Sequence, residues 1–176
     1  MAFYIREGDI TRFDGDAVVN AANTQLRMGG GVCGAIFRAA GEAELKQACR
    51  RLRPIQTGEA VITPGFSLTA SFIIHTAGPV YEGGHRGEET LLRNSYINSM
   101  SLALKNNLRS IAFPLISSGI YGYPVSEALQ IALDSIESFI LADPLDVTLY
   151  LFSLKNYLDD ETIPEELKTR IQDRLV

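Results

Sequence analysis

Apolar residues fall along this chain in two rhythms, short β-rich runs and longer stretches at helical spacing. The short runs are Phe3–Arg6, Ala17–Asn20, Ala60–Thr63, Phe72–Thr76, Ser110–Phe113 and Val147–Phe152, and each reads as a strand. Between them, Leu92, Tyr96, Met100 and Ala103 share one helical stripe, as do Val125, Leu129, Leu133, Ile136 and Ile140. Both stripes predict buried helix faces, not binding surfaces. Another helix should start in the glycine run at 29–34 and continue through Ala40, where Gly41 interrupts or ends it before a helical stretch over Glu42–Leu52. Thr162 and Glu165 stand at capping-box spacing around Pro164 and announce a last helix from Glu165 to about Leu175. Strands alternating with helices in this way predict an α/β fold.

Two glycine-rich loops break the pattern, Gly29–Gly34 and Ser117–Gly122, each where a strand should hand over to a helix. A backbone without Cβ atoms can approach an anion closely, and the first turn of a helix has N–H groups with no intrahelical acceptor. Two such loops suit a diphosphate. Gly29, Gly31 and Gly34 formally spell G-x-G-x-x-G, but a dinucleotide fingerprint should follow its strand at once, whereas Asn20–Met28 intervenes here. The acidic ribose partner is also unconvincing, because Glu59 would lie near the start of a strand. Neither loop continues as Gly-Lys-Ser/Thr, which excludes a Walker A loop.

Composition narrows the function classes further. With 176 residues and 46% hydrophobic content, one buried core is expected, and residues 1–176 are read as a single domain. The net charge of −5 offers no long-range attraction to polyanions, so nucleic acid is not an expected partner. Cys33 and Cys49 have neither metal-type spacing nor the density of a secreted scaffold, which fits a reducing, cytoplasmic setting. With only two histidines beside them, no metal site and no cofactor are implied. No apolar stretch approaches the roughly 20 residues that cross a bilayer.

Five segments then carry a resemblance. Gly8–Thr11, Val18–Asn23, the Gly29–Ala40 run, His75–Pro79 and Ala112–Pro124 resemble the macro domain in order and spacing, nearest its MacroD-like branch, over about residues 4 to 155. The resemblance implies a three-layer α/β/α domain with a mixed, mostly parallel sheet and an ADP-ribose cleft at the strand ends. It further implies either hydrolysis of ADP-ribosyl esters, as O-acetyl-ADP-ribose or on acidic side chains of an ADP-ribosylated protein, or binding alone. The hydrolase is taken as the first reading and the reader module as the alternative.

Carried over by resemblance, Asp9 would accept a hydrogen bond from the adenine amine, with Ile10 beside it, although a capping Asp is the plainer reading. Asn23 would face the distal ribose and serve catalysis, against the reading of a turn-forming Asn, while Asn20 braces the loop. Gly30, Gly31 and Val32 would offer main-chain N–H groups to one side of the diphosphate, and Ser118, Gly119, Ile120 and Tyr121 to the other. Tyr121 either covers the ribose or packs on its loop. Phe152, at the end of the last strand, either stacks on adenine or joins the core. His75, inside a strand, reads as a neutral core histidine, and Glu82–Glu88, which contains His85, as a mobile surface loop.

Two positions depart from the family pattern. Ten residues after Asn23, where hydrolytic relatives usually have Asp, stands Cys33, and Phe37 stands where they commonly have His. A carboxylate can orient a water and accept its proton, whereas a thiol is a poor acceptor. Hydrolysis would then rest on a ligand phosphate oxygen positioning the water beside Asn23.

Overall fold

The six apolar runs become the six strands of one sheet in the computed structural model, which describes residues 2–176. They are β1 (Phe3–Glu7), β2 (Ala17–Ala22), β3 (Ala60–Pro64), β4 (Phe72–Ala77), β5 (Ser110–Pro114) and β6 (Asp146–Leu151). The spatial order is β1-β6-β5-β2-β4-β3, with every neighbouring pair parallel except β3 with β4. The helices are α1 (Gly31–Ala40), α2 (Glu42–Arg50), α3 (Glu88–Lys105), α4 (Val125–Ala142), α5 (Leu154–Leu158) and α6 (Glu165–Gln172).

Alternation along the strands feeds two cores, one on each face of the sheet. Val18, Ile73 and Ala112 pack on one face with Ile36 and Phe37 of α1 and Leu45 and Cys49 of α2. Val19, Ile74, Ile111, Phe113 and Leu149 pack on the other with Leu92, Tyr96 and Met100 of α3, Leu129 and Leu133 of α4, and Leu167 and Ile171 of α6. The result is a three-layer α/β/α architecture around a mixed, mostly parallel sheet. No helix of the described residues is long and apolar enough to cross a membrane.

Several sequence expectations need adjustment. Strand β2 runs two residues beyond Asn20, α2 stops at Arg50 and α6 at Gln172. The capping box does not form: Thr162 donates from both its N–H and its Oγ1 to Asp160 Oδ1, and Pro164 takes the N-cap position of α6 without a side-chain bond. The short helix α5 was not anticipated, although Ser153 ahead of Leu154–Leu158 is a usable start signal. Phe152 lies just past β6 and is 89% exposed, so it has no core role. The Glu82–Glu88 segment is pinned, because Glu88 accepts the N–H groups of Glu82, Gly84 and Arg86. Those bonds hold its carboxyl down at about 2, against an ordinary 4.5.

Candidate functional site

The sheet opens a cleft where its topology reverses. Strand β2 leads to α1 on one face and its neighbour β5 leads to α4 on the other, which makes the crevice beyond their carboxyl ends the expected ligand position. Register widens it. Only Ala17 and Val18 of β2 pair with β5, opposite Ile111 and Ala112, so the two strands part company toward their carboxyl ends. At the opposite end, Asp16 Oδ2 clamps them by accepting the N–H groups of Arg109 and Ser110. The cleft has a volume of about 870 Å³, within the range of small-molecule sites.

One wall is the Gly29–Cys33 segment. Gly31 adopts φ +56°, a left-handed conformation that starts α1 without side-chain strain. A Cβ on Gly34 would stand 2.6 Å from the Gly29 carbonyl oxygen, so only glycine lets the helix pack this closely on the loop. Gly30 caps α1 with no side-chain hydrogen bond, which leaves the N–H groups of Gly31, Val32 and Cys33 without an acceptor among the described residues.

The opposite wall is Leu115–Tyr121. Here the expectation of a second helix N-terminus is corrected. Helix α4 starts only at Val125, and Ser118–Tyr121 form a turn closed by the Gly122 N–H on Gly119 O and the Tyr123 N–H on Ser117 O. Among the described residues, the N–H groups of Ser118, Gly119, Ile120 and Tyr121 donate to no protein acceptor. The turn is held from behind: Tyr96 Oη accepts the Ile116 N–H at 3.1 Å, and the Tyr81 N–H donates to Tyr121 O at 2.9 Å. Across the cleft, Ile120 Cδ1 comes within 3.6 Å of where a Cβ on Gly30 would stand. The two loops therefore almost meet over the opening.

Every residue predicted for the site lines this cleft: Asp9, Ile10, Asn23, Gly30, Gly31, Val32, Cys33, Ser118, Gly119, Ile120, Tyr121 and Phe152. Phe37, on the core-facing side of α1, does not line it and is fully buried. Asp9 Oδ1 accepts both the N–H and the Oγ1–H of Thr11, which lowers its pKa, while Oδ2 keeps its lone pairs for another donor. Capping and ligand recognition are compatible at this residue.

Asn23 is more committed than expected. Its Oδ1 accepts the N–H groups of Gln25 and Arg27, and its Nδ2 donates to Arg27 O at 2.8 Å, leaving one amide hydrogen uncommitted. Cys33 Sγ accepts the Gly29 N–H at 3.4 Å and donates to the same Arg27 carbonyl at 3.8 Å. Asn20 instead faces His75: its Nδ2 donates to Nδ1 at 3.0 Å, so the ring proton sits on Nε2, which donates to Thr63 Oγ1. Burial depresses the His75 pKa to about 3. Sequence reading missed Ser117, Tyr150 and Tyr157 as lining residues. Ser117, at φ +66° with a buried hydroxyl that has no partner among the described residues, carries no sequence mark of that conformation.

Among the described residues, no Lys or Arg lines the cleft, and Asp9 is its one acidic side chain. An anion there would be held by main-chain N–H groups, with apolar Phe152, Ile10 and Tyr157 available to flank a planar ring. No group of three or more His, Cys, Asp or Glu residues that could hold a metal occurs among the described residues.

A family model described as Macro domain matches residues 19–132. An O-acetyl-ADP-ribose deacetylase of Salmonella newport strain SL254 is 50% identical over 148 residues, spanning 82% of this chain and 82% of that one. The solved structure of the Oceanobacillus iheyensis macrodomain with ADP matches with a TM-score of 0.84 at 40% identity, covering 95% of this chain and 87% of that one. The Trypanosoma brucei macrodomain in complex with ADP-ribose matches with a TM-score of 0.79 at 36% identity, covering 97% and 68%.

Proposed function

The chain belongs to the macro domain family, and from that premise we propose that it binds ADP-ribose in the cleft between the two glycine-rich loops and hydrolyses ADP-ribosyl esters. One observation carries the binding half: two facing sets of unpaired main-chain N–H groups, at Gly31–Cys33 and Ser118–Tyr121, in a cleft with no cationic side chain. That arrangement suits a diphosphate, whose charge is met by amide dipoles. The relatives with ADP and with ADP-ribose support the same ligand. Asp9 Oδ2 takes the adenine amine, Ile10 and Phe152 flank the ring, and Asn23 directs its remaining amide hydrogen to the distal ribose.

The hydrolytic half rests on the deacetylase relative and on the intact Asn23 loop. Among the described residues Asp9 is the only carboxylate on the cleft, and it is taken up by the adenine end, so a ligand phosphate oxygen orients the attacking water, takes its proton as the water adds to the ester carbonyl, and returns that proton to the ribose oxygen as the acyl–oxygen bond breaks. A second reading, a reader that binds without turnover, is favoured by Cys33, whose thiol is engaged by Gly29 and Arg27. Calorimetry with ADP-ribose, followed by product analysis on O-acetyl-ADP-ribose and on a mono-ADP-ribosylated carboxylate peptide, decides between them. We expect one ADP-ribose site and slow release of product from both esters. Binding without turnover selects the reader, and no binding at millimolar ADP-ribose overturns both.

A further inference from the structure

Next to the cleft lies a second concavity of opposite character. It is an open basin of about 580 Å³ lined by Arg27, Lys46, Arg50 and Arg53, with Leu26, Met28 and Gly29 as its floor and edge. Among the described residues, none that lines it is acidic. Lys46 pairs with Glu42 at 3.3 Å, both side chains nearly half exposed, while Arg27, Arg50 and Arg53 have no hydrogen-bonding or ion-pairing acceptor for their guanidinium groups among the described residues. In a chain of net charge −5, four cations around one hollow form a local reversal of sign. The dipole of α2 accounts for Arg50 in its last turn. It accounts for neither Arg27, from the loop before α1, nor Arg53, beyond the end of α2.

We propose that this basin binds an acidic peptide segment, the stretch of protein chain around a carboxylate that bears the ADP-ribose. The proposal rests on the reading of the cleft as an ADP-ribosyl site. Gly29 lines both hollows, and one hydrogen-bonded ring joins Asn23 on the cleft side to Arg27 on the basin side. With the distal ribose at Asn23, the peptide attached to it leaves the cleft toward the basin. Glutamates and aspartates flanking the modified side chain then meet Arg27, Lys46 and Arg50, and the guanidinium groups suit paired carboxylate recognition. A nucleic-acid strand is the poorer match, since no aromatic side chain lines the basin to stack a base.

The test uses two peptides that carry ADP-ribose through a non-hydrolysable linkage, one flanked by Glu and Asp, the other by Ser and Gly. Their affinities for the wild type and for the double variant Lys46→Glu/Arg50→Glu are read by fluorescence anisotropy, with free ADP-ribose and an unmodified single-stranded oligonucleotide measured alongside. The wild type should prefer the acidic peptide by on the order of five- to tenfold at low salt, and the preference should shrink as ionic strength rises. The variant should lose the preference yet bind free ADP-ribose as the wild type does, which also verifies its fold. Equal affinity of the wild type for both peptides, with ADP-ribose bound normally, overturns the basin proposal alone. Failure to bind free ADP-ribose overturns the cleft reading and the proposal with it. Oligonucleotide binding tighter than that of the acidic peptide, and lost in the variant, assigns the basin to nucleic acid instead.

Discussion

Cys33 sits in the first turn of α1 with its sulfur between the Gly29 N–H and the Arg27 carbonyl. An aspartate there keeps an acceptor for the first and gains the favourable end of the helix dipole, but it cannot donate to the second. Its free oxygen would be left facing the cleft, where a water can be held. Cys33→Asp is therefore expected to raise turnover of ADP-ribosyl esters by a part of the roughly 10²–10⁴-fold that general-base assistance supplies, with ADP-ribose affinity within a few-fold of wild type. Cys33→Ser, which can both accept and donate, should stay at the wild-type rate. Steady-state kinetics on O-acetyl-ADP-ribose and calorimetry check both statements, and a rate unchanged by the aspartate makes the residue a bystander. Asn23→Ala is a less clean probe than its place in the cleft suggests, because it removes three hydrogen bonds that shape residues 23–27. The types of residue at these positions were legible in the sequence. Asn23's part in shaping its own turn was legible too, as the plainer reading of that residue, whereas the φ of +51° at Leu26 within that turn was not, because no local signal assigns it to a leucine.

At the scale of elements, the Leu115–Tyr121 loop owes its shape to neighbours distant in sequence. Tyr96, buried in the middle of α3, lies tilted against Phe113 with ring centroids 5.0 Å apart and accepts the Ile116 N–H. Tyr96→Phe keeps the ring and orphans that N–H, which costs about 1–3 kcal/mol. Chemical denaturation should show that loss, and ADP-ribose affinity should fall several-fold because the released segment carries the Ser118–Tyr121 amides. Stability lost with affinity unchanged would show that the turn keeps its shape without this anchor. The helical stripe through Leu92, Tyr96 and Met100 was readable because burial repeats at helical spacing. The hydroxyl's partner lies twenty residues away and has no such period. Likewise, the strand runs announced the sheet, whereas the short pairing of β2 with β5 that opens the cleft is a property of register between strands. The Thr162 capping box failed for a local reason: Asp160 competes for both donors of Thr162 two residues away.

For the whole molecule, the cleft parts β2 from β5, and on its other side β2 is held in register with β4 and the edge strand β3 partly by a buried polar clamp. His75 on β4 links β2 through Asn20 and β3 through Thr63, and it does so as a neutral ring whose pKa burial lowers from 6.5 to about 3. A base with its folded pKa depressed gives stability that is complete above its unfolded pKa and is lost as pH falls from there toward the folded value, because the unfolded chain takes up a proton that the native one refuses. Between about pH 7 and about pH 5 this one group should cost about 2 kcal/mol. The Glu88 carboxylate, held at about 2, works in the same direction but in a lower window, from about 4.5 down, so the two contributions separate on the pH axis. Urea unfolding at a series of pH values should therefore show stability falling from near pH 6.5, well before carboxylates titrate. His75→Gln should be less stable at neutral pH yet nearly flat between pH 7 and pH 5. If the wild type is equally flat over that range, the ring accepts its proton in the folded state, and the neutral Asn20–His75–Thr63 clamp is not what ties the three strands together.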